Sequence, residues 1–435
     1  MSINTPPDSN SRDIAFSLLR EDSRSGRFIE DRLSQAFESS SLDQRDKRFV
    51  QNLVYGCIRN LSLLDHIIDQ STNRKPPSGD TRVLLRLGIY QLVYMDRVAD
   101  HAAINETVEC ARRAGFERQT GFINGMLRNI LRGRESLSQQ ISSLATDSPW
   151  IRFSHPQWLF EKFSETYGHD NVIKWMRNNN EPAEVFLSPN GLLTDTQSLV
   201  RHLEKEECFV QLVLLEAFKN KKFIKWVSGK PPQTTEAFKS GLFYIQDPST
   251  TLAPSCVRAN AGDRILDMCA APGGKTQLLV QQFNGGDVLI DAADKEQWRL
   301  DLINDNLKRL RMQNKVNVLL SDSIDHKYNW ILVDAPCTNS GVLNRRVELR
   351  WRINEEEAYE LSQTQSELLN DAASKLLPGG QIIYSTCTLD VDENENVIRK
   401  FQSSHPDFTL LQQSKICHWN SEVDGAFVAC LKHSG

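Results

Sequence analysis

The sequence predicts a multidomain protein with an all-α N-terminal domain, a small α+β intermediate domain and a C-terminal α/β domain of the nucleotide-binding type. Three observations support this fold class. The chain has 435 residues, which is too long for one ordinary hydrophobic core. Its first third carries helical periodicity without strand signals. After Gly241, short apolar runs alternate with helical stretches, a pattern typical of βαβ units around a mostly parallel sheet.

The N-terminal region, residues 1–140, reads as consecutive amphipathic helices. Apolar residues recur at helical spacing, as in Val83, Leu87 and Tyr90. The cluster Pro76–Gly79 breaks the pattern between two of these helices. The predicted helices are Asp13–Glu21, Phe28–Phe37, Gln44–Asn60, Leu61–Gln70, Asp80–Asp96, Ala103–Ala114 and Gly121–Arg132.

The intermediate region, residues 141–240, has a weaker pattern. A polar, irregular stretch from Ser136 to Ser154 predicts a connector. Beyond it, the apolar runs Leu212–Phe218 and Lys222–Val227 fit a helix or a strand equally well. A weak candidate for a basic patch is formed here by Lys219, Lys221, Lys222 and Lys225.

The C-terminal region, residues 241–435, carries the pattern of an open α/β sheet. Such sheets bind ligands at the carboxyl ends of their strands, so the residues that follow each apolar run are candidates for a site. The predicted strands are Arg264–Met268, Val288–Ala292, Val316–Leu320, Trp330–Asp334, Gln381–Ser385 and Phe427–Leu431.

Composition narrows the class of protein. The hydrophobic content of 40% and the charged content of 25% are those of a soluble globular protein, and no apolar run approaches the roughly 18 residues that span a bilayer. The N-terminus lacks the features of a signal peptide, which predicts a cytoplasmic protein. Nine cysteines without C-x-x-C or zinc-ligand spacing predict reduced thiols and no metal. With a net charge of −5, any nucleic-acid surface must be a local patch.

A glycine-bearing segment follows the first predicted strand and precedes a helical stretch. Its glycines let the backbone approach a ligand closely, and the helix N-terminus supplies free amide donors for a carboxylate. The segment is neither the dinucleotide fingerprint nor a Walker loop. A structural turn is the alternative. The residues expected to bind a cofactor are Cys269, Ala270, Ala271, Pro272, Gly273, Gly274 and Lys275.

Two acids follow the next two predicted strands. Asp294 stands about twenty residues beyond the glycines, where an acid commonly accepts hydrogen bonds from ribose hydroxyls. Asp322 follows the third strand, within reach of an adenine amino group. Each alone would more often be a solvated loop acid or a helix cap. Their order after a binding loop favours a role in cofactor binding.

Two cysteines, Cys337 and Cys387, stand just beyond apolar runs at the predicted ligand-binding edge. A buried cysteine often only fills a core, which is the structural alternative. A thiolate is a soft nucleophile suited to adding to carbon 6 of a cytosine, and the adduct makes carbon 5 able to attack the methyl group of S-adenosylmethionine. Loss of the carbon-5 proton and elimination of the thiol then restore the ring. The pair therefore predicts pyrimidine chemistry, with attack and release divided between two thiols.

Asp334 lies close to the first of these thiols, in the string Asp-Ala-Pro-Cys. Methylation of an exocyclic amine is expected to use a string of the Asn/Asp-Pro-Pro-Tyr type instead. A carboxylate here is able to hydrogen-bond the N3/N4 edge of cytosine and to stabilise the protonated ring that thiol addition needs. Asp334 therefore indicates carbon as the target atom.

A cluster of arginines follows this loop, with Trp351 among them. Arginines interleaved with an aromatic residue are expected for phosphate contact combined with stacking, and a solvated charged face is the alternative. The candidates for RNA contact are Arg345, Arg346, Arg350 and Arg352.

These strings resemble those of known families. The chain resembles the RNA cytosine-5 methyltransferases in five segments, Asp267–Thr276, Asp334–Cys337, Tyr384–Thr388, Gln246–Thr250 and Asp424–Phe427. It resembles the NusB-like RNA-binding domain in three further segments, Leu84–Gln91, His101–Thr107 and Gly121–Gly125. The combination resembles 16S ribosomal RNA methyltransferases of the RsmB/Sun (Fmu) type.

The resemblance implies a NusB-like domain at 1–140, a linker and RRM-like RNA-contact domain at 141–240 and a Rossmann-like S-adenosylmethionine-dependent methyltransferase domain at 241–435. It implies that Cys387 is the nucleophile, that Cys337 assists release, and that Asp334 also contacts the cofactor. The expected substrate is 16S ribosomal RNA, free or in early assembly, and a monomer is expected. Methylation of transfer RNA or of another ribosomal cytosine stays open, as does a non-catalytic RNA-binding assembly factor.

The chain departs from the family pattern in loops expected to face RNA. Thr338–Gly341 replaces the usual Ser-Gly/Ala-Thr-Gly after Cys337, and Val347-Glu348 replaces His-Pro. Ser188 stands where the family often has arginine. These departures bear on the target nucleotide more than on the chemistry.

Overall fold

A computed structural model of the protein describes residues 10–21, 27–72, 75–219, 221–419 and 421–435. They form two compact units. The first comprises the described residues up to Glu181 together with Leu343–Arg352, and the second comprises Pro182–Val342 and Ile353–Gly435. The first unit is helical and the second contains both sheets, in agreement with the predicted fold classes.

The first unit begins with helices whose starts are set by polar caps. The side chains of Asn10 and Asp43 accept hydrogen bonds from the first-turn amides of α1 and α3. The apolar faces share one core that includes Leu53, Leu84 and Leu127. All of the helices predicted for this region are present. In the described part they are α1 (Ser11–Arg20), α2 (Ile29–Glu38), α3 (Gln44–Arg59), α4 (Leu61–Gln70), α5 (Gly79–Tyr94), α6 (Asp100–Arg113) and α7 (Thr120–Arg132).

The stretch predicted to be an irregular connector is helical, so that prediction is wrong. Helix α8 (Arg134–Asp147) covers most of it and buries none of its residues. Its apolar residues Leu137, Ile141 and Leu144 recur at helical spacing and pack, partly buried, against the core of the first unit, but the residues between them are polar and hid this period. Three further helices follow, α9 (Pro149–Arg152), α10 (Gln157–Tyr167) and α11 (His169–Asn178).

Arg350, one of the predicted RNA contacts, is enclosed within the first unit. Its side chain is fully buried, and its guanidinium donates to Asn180 Oδ1 at 2.6 Å and to the carbonyl oxygen of Asn179 at 2.9 Å. Burial lowers the pKa of Arg350 to about 9. A guanidinium held by protein acceptors is not presented to a phosphate. We therefore propose a structural role for Arg350 in place of the predicted RNA contact.

The second unit begins with a four-stranded antiparallel sheet in the strand order β2-β3-β1-β4. Its β-α-β-β-α-β order is that of ferredoxin-like folds. The two ambiguous apolar runs are strands except for Glu216–Phe218, which form a short 3-10 helix, and the last strand extends the sheet past the predicted boundary at residue 240. The elements are β1 (Val185–Pro189), α12 (Thr196–Lys205), β2 (Phe209–Leu215), β3 (Lys221–Ser228), α13 (Glu236–Lys239) and β4 (Phe243–Ile245).

Both faces of this small sheet pack in part against other elements. One face packs on α12 through Leu187. The opposite face, through Phe186 and Leu215, packs on Ile416 and Val423. RRM domains use the face without helices to stack bases, and here part of that face packs against Ile416 and Val423. RNA contact by this domain stays a prediction.

The larger sheet has seven strands in the order β10-β11-β9-β8-β5-β6-β7. The five strands from β9 to β7 are parallel, β11 runs antiparallel to β9, and β10 runs antiparallel to β11. Residues along each strand alternate between two cores, with Leu266 and Ile331 on one face and Ile265 and Leu332 on the other. The strands are β5 (Arg264–Asp267), β6 (Leu289–Asp294), β7 (Asn317–Leu320), β8 (Tyr328–Asp334), β9 (Leu376–Thr386), β10 (Phe408–Ile416) and β11 (Ala426–His433).

Every strand predicted for this region is present, and β10 is the one the pattern did not indicate. Only the two ends of β10 are buried, so its sequence has no apolar alternation. None of the described helices combines the length and apolar character needed to cross a bilayer. The helices of this part of the chain are α14 (Gly274–Gln282), α15 (Gln297–Arg309), α16 (Leu349–Arg352, in the first unit), α17 (Glu355–Ser374) and α18 (Glu395–Ser404).

Candidate active site

The predicted cofactor loop connects β5 to α14 at the carboxyl edge of the larger sheet. The amide of Met268 donates to the carbonyl oxygen of Leu332 at 2.8 Å, and the amide of Ala270 donates to that of Ala293 at 3.0 Å. These bonds tie the loop to the strands on both sides. Gly273 has a φ of +97°, in the left-handed region that favours glycine, and α14 begins at the next residue. The loop thus directs the free amides of a helix N-terminus towards the site edge.

The loop rests on Gln246, a residue that sequence reasoning noted only as part of a family string. Its Nε2 donates to the carbonyl oxygen of Gly274 at 2.9 Å, and its Oε1 accepts from Gln277 Nε2 at 2.8 Å. A Cβ added to Gly274 would lie 3.2 Å from Gln246 Nε2. A side chain at this position would therefore press on the Gln246 amide.

Asp294, at the end of β6, faces the cofactor loop. Its Oδ2 accepts a hydrogen bond from the amide of Ala271 at 3.1 Å, and its Oδ1 lies 2.7 Å from Arg299 Nε. The side chain is buried. Asp322 lies in an exposed turn after β7. Both acids stand at the predicted edge of the sheet, and their contacts with a cofactor remain predictions.

Burial shifts two titratable groups in the loop towards their neutral forms. Burial raises the pKa of Asp267 to about 7, although Thr276 Oγ1 donates to Asp267 Oδ2 at 2.6 Å. Burial, with the nearby carboxylates of Asp334 and Asp294, raises the pKa of Cys269 to about 12. The Cys269 thiol therefore stays protonated near neutral pH and is not a nucleophile.

Cys337 and Cys387, which are 50 positions apart in the sequence, meet in the structure with their sulfur atoms 3.5 Å apart. Strands β8 and β9 are parallel neighbours, and their register pairs Asp334 with Ser385. Both strands therefore end at the same level and carry the two thiol loops side by side. Cys337 is buried, whereas Cys387 is only partly buried.

The two thiols have different surroundings. The hydrogen bond with Cys387, followed by burial, raises the pKa of Cys337 well above its ordinary value, so Cys337 is held as a neutral thiol. Cys387 Sγ donates to Asn339 Oδ1 at 3.0 Å, and Asn339 Nδ2 donates to the carbonyl oxygen of Cys337 at 2.6 Å. Asn339 has a φ of +60°, which asparagine tolerates better than most residues. Sequence reasoning noted this position only as a departure from the family string.

Lys275 lies on the thiol side of the site, where it pairs with Asp334. Its Nζ is 2.5 Å from Asp334 Oδ2, and Ser385 Oγ donates to Asp334 Oδ1 at 2.9 Å. Burial acts against the ammonium, but the charge and hydrogen bond of Asp334 outweigh it and raise the pKa of Lys275. Lys275, predicted as a cofactor ligand, is therefore a protonated partner of the predicted catalytic acid.

A glycine contact holds the two thiol loops together. The amide of Gly341 donates to the carbonyl oxygen of Cys387 at 2.9 Å, and the amide of Gly425 donates to that of Gly341 at 2.8 Å. A Cβ added to Gly341 would lie 2.7 Å from the Cys387 carbonyl oxygen.

Among the residues that the structure describes, no three His, Cys, Asp or Glu side chains form a group suited to a metal ion.

Comparisons with known proteins agree with this architecture. The family described as 16S rRNA methyltransferase RsmB/F matches residues 254–427, and the NusB family matches residues 9–132. The ribosomal RNA small subunit methyltransferase B of Salmonella paratyphi A is 32% identical over 84% of this chain and 84% of its own length. The probable ribosomal RNA small subunit methyltransferase B of Bacillus subtilis is 29% identical over 91% and 89%. The crystal structure of PH0851, at 23% identity, covers 99% of this chain and 100% of that chain with a TM-score of 0.76, which shows a shared fold.

These findings confirm the predicted NusB-like N-terminal domain and the predicted Rossmann-like methyltransferase domain. They also confirm the predicted cofactor, S-adenosylmethionine. The Salmonella relative matches across most of both chains, well beyond a single shared domain. The chain belongs to the RsmB/F family of 16S rRNA methyltransferases.

Proposed function

We propose that this protein transfers a methyl group from S-adenosylmethionine to carbon 5 of a cytosine in 16S ribosomal RNA through a covalent adduct. The observation that carries the proposal is the pair of sulfur atoms 3.5 Å apart, at the strand ends that also hold the Lys275–Asp334 ion pair. An exocyclic amine has its own lone pair and needs no thiol to activate it. A thiol beside a carboxylate is what activation of a pyrimidine carbon requires.

The ion pair is the proposed binding site for the polar edge of the cytosine. The target base must leave its stack to enter the site. Asp334 would accept hydrogen bonds from the amino group and from protonated N3, and the Lys275 ammonium would donate to the carbonyl oxygen of the ring. Thiol addition to carbon 6 moves electron density into the ring, and these groups stabilise that charge in a partly buried site.

Cys387 is the proposed nucleophile because it is the more exposed thiol and lies at the end of a strand. Its thiol proton passes to N3 of the ring as the sulfur forms a bond with carbon 6, and carbon 5 would then take the methyl group from the cofactor, which leaves as S-adenosylhomocysteine. A base removes the carbon-5 proton, the bond between carbon 6 and sulfur breaks, and Cys387 leaves as a thiolate. Cys337, held neutral 3.5 Å away, would donate its proton to the departing sulfur.

The cofactor is proposed to lie along the loop Cys269–Lys275. Its carboxylate would accept hydrogen bonds from amides at the start of α14, as helix N-termini bind anions. Its ribose would reach Asp294 and its adenine Asp322. The loop supplies backbone donors close to the thiols, which would direct the methyl group towards carbon 5.

Replacing Asp294 with alanine should weaken cofactor binding by about 1–3 kcal/mol, because ribose hydroxyls would be left without an acceptor. The amide of Ala271 would also lose its partner. Isothermal titration calorimetry with S-adenosylhomocysteine measures this loss. Asp301→Ala is the matched control, since this exposed acid lies on α15 and contacts Gln297. If Asp294→Ala binds S-adenosylhomocysteine with wild-type affinity, Asp294 has a purely structural role.

For the RNA, the candidate contacts are Arg345, Arg346 and Arg352. Arg346 is exposed and lies over the Phe28 ring, with its guanidinium carbon 4.8 Å from the ring centroid. The proposed substrate is 16S ribosomal RNA that is free or in early assembly. We also propose that the protein is a monomer. Because its substrate is ribosomal RNA, it would act in the cytoplasm, where ribosomes assemble.

The proposal is tested with purified protein and S-adenosylmethionine labelled in its methyl group. The label should enter a 16S ribosomal RNA transcript and, after digestion to nucleosides, should elute with 5-methylcytidine. Label in transfer RNA alone would favour the alternative substrate, and label in a nitrogen-methylated nucleoside would contradict carbon as the target. Cofactor binding without transfer to any RNA would favour a non-catalytic assembly factor.

A further inference from the structure

Behind the two thiols lies a carboxylate that the proposed chemistry does not use. Glu393 is fully buried, with 0% of its surface exposed. Its Oε1 accepts hydrogen bonds from the hydroxyls of Thr338 and Thr388, at 2.5 and 3.0 Å. Its Oε2 accepts from the amide of Thr338 and from Gln365 Nε2, both at 2.9 Å. The carboxylate thus has two donors on each oxygen.

The two threonines that Glu393 contacts are the immediate neighbours of the two cysteines in the sequence. Thr338 directly follows Cys337, and Thr388 directly follows Cys387. The two loops come from different strands, β8 and β9. The same carboxylate therefore binds the residue next to each sulfur-bearing residue. The two threonine hydroxyls also contact each other, at 2.9 Å.

A carboxylate is an unfavourable choice for filling space in a core. Burying it is costly unless hydrogen bonds replace water. Burial raises the pKa of Glu393 above its ordinary value, while donation from Thr338 and Gln365 acts in the opposite direction. An apolar side chain would fill the position without this cost, but it would leave the threonine hydroxyls and the Thr338 amide without their acceptor. The arrangement therefore indicates that the carboxylate holds the two threonines, and with them the two thiol loops, in a fixed position.

We propose that Glu393 is a positioning residue that sets the separation of the two sulfur atoms by binding the residue after each cysteine. The inference rests on the proposed function, in which attack by Cys387 and release assisted by Cys337 need both sulfurs at one place. Without the carboxylate, the two loops would keep the backbone contact between Gly341 and Cys387. The site should then loosen without losing its fold.

The first test is the kinetic effect of E393Q, which preserves size and replaces one acceptor oxygen with an amino group. The glutamine can keep its oxygen towards the Thr338 amide and Gln365, but its amino group then faces the two threonine hydroxyls, which lose their shared acceptor and must turn to accept from it. We expect kcat to fall by about tenfold or more while KM for RNA and cofactor stays within about twofold, because misplacement of reacting groups affects the chemical step. The matched control is E395Q, since Glu395 pairs with Lys415 at 2.8 Å. The control should keep wild-type kcat.

The second test measures the separation of the sulfurs without RNA. Diamide, a diazene oxidant, takes two electrons and two protons from a close thiol pair, which leaves a disulfide and the corresponding hydrazine. Peptide mapping of the full-length protein by mass spectrometry quantifies the Cys337–Cys387 disulfide. Its formation should be about fivefold slower in E393Q than in the wild type and unchanged in E395Q. A residue that only supported the fold would lower the melting temperature and leave this rate unchanged.

A second pair of variants decides the question if E393Q does not fold. T388V removes the hydroxyl that joins the Cys387 loop to Glu393, whereas T388S keeps it. T388S should behave as the wild type, and T388V should show the slower methyl transfer and slower disulfide formation.

Equal rates in T388V and T388S would overturn the proposal, as would wild-type rates of both reactions in folded E393Q. If the wild type forms the disulfide but methylates no RNA, the proposed function fails. The disulfide rates would then still decide the role of Glu393.

Discussion

Replacing Cys387 with alanine should abolish methylation, with a loss on the order of 10³-fold or more, because no sulfur is then available to add to carbon 6. Cofactor binding should survive. Replacing Cys337 with alanine should have a different result, since attack and methyl transfer need only Cys387. Release should be impaired, because the neutral thiol 3.5 Å from the departing sulfur is absent. A protein–RNA adduct should therefore accumulate in Cys337→Ala when cofactor is present.

Denaturing gel electrophoresis with labelled RNA separates these outcomes. Only Cys337→Ala should give a band that migrates as a covalent complex. Cys256→Ala is the matched control, since Cys256 is a partly buried thiol whose sulfur contacts Leu252 and Gln412. An adduct in Cys387→Ala and none in Cys337→Ala would reverse the two roles. Normal methylation by both variants would contradict a covalent mechanism.

Replacing Asp334 with asparagine should lower kcat by about 10²–10⁴-fold, because the cytosine edge would lose its ionised acceptor. The change would also leave the Lys275 ammonium, 2.5 Å away, without its counter-charge. Single-turnover methyl transfer at saturating cofactor measures this effect. Ser385→Ala removes only the hydroxyl that donates to Asp334 and should cause a much smaller loss.

Calorimetry on the same variants separates the two roles predicted for Asp334. If Asp334 acts on the base, cofactor affinity should change far less than kcat. A loss of cofactor affinity with wild-type kcat at saturation would contradict the catalytic role and leave Asp334 as a cofactor ligand.

Much of the fold could be predicted because its signals are local. The strands of the larger sheet that are buried on both faces appear in the sequence as apolar runs, and the helices of the first unit appear as amphipathic periods. Helix α8 was missed although Leu137, Ile141 and Leu144 recur at helical spacing, because the rest of that segment is polar, and strand β10 was missed because it is buried only at its ends. Topology brought Cys337 and Cys387 together as expected for two neighbouring parallel strands.

The remainder of the site depends on partners that are distant in sequence. Lys275 belongs to the cofactor loop in sequence, but its ammonium reaches an acid 59 positions away. Glu393 has no motif of its own, and its role is visible only through hydrogen bonds to both thiol loops. Arg350 is buried, and the sequence could not indicate this, because an arginine beside a tryptophan has the same sequence pattern whether its guanidinium faces solvent or buried carbonyl groups.

We propose that the protein methylates carbon 5 of a cytosine in 16S ribosomal RNA with the help of the Cys387 thiol. Bisulfite sequencing of ribosomal RNA tests it most directly, in a strain that lacks the gene and carries either the wild-type protein or Cys387→Ala. We expect one cytosine in 16S ribosomal RNA that resists conversion with the wild-type protein and is converted in the deletion strain and with Cys387→Ala. An identical 16S conversion pattern in all of these strains would contradict it.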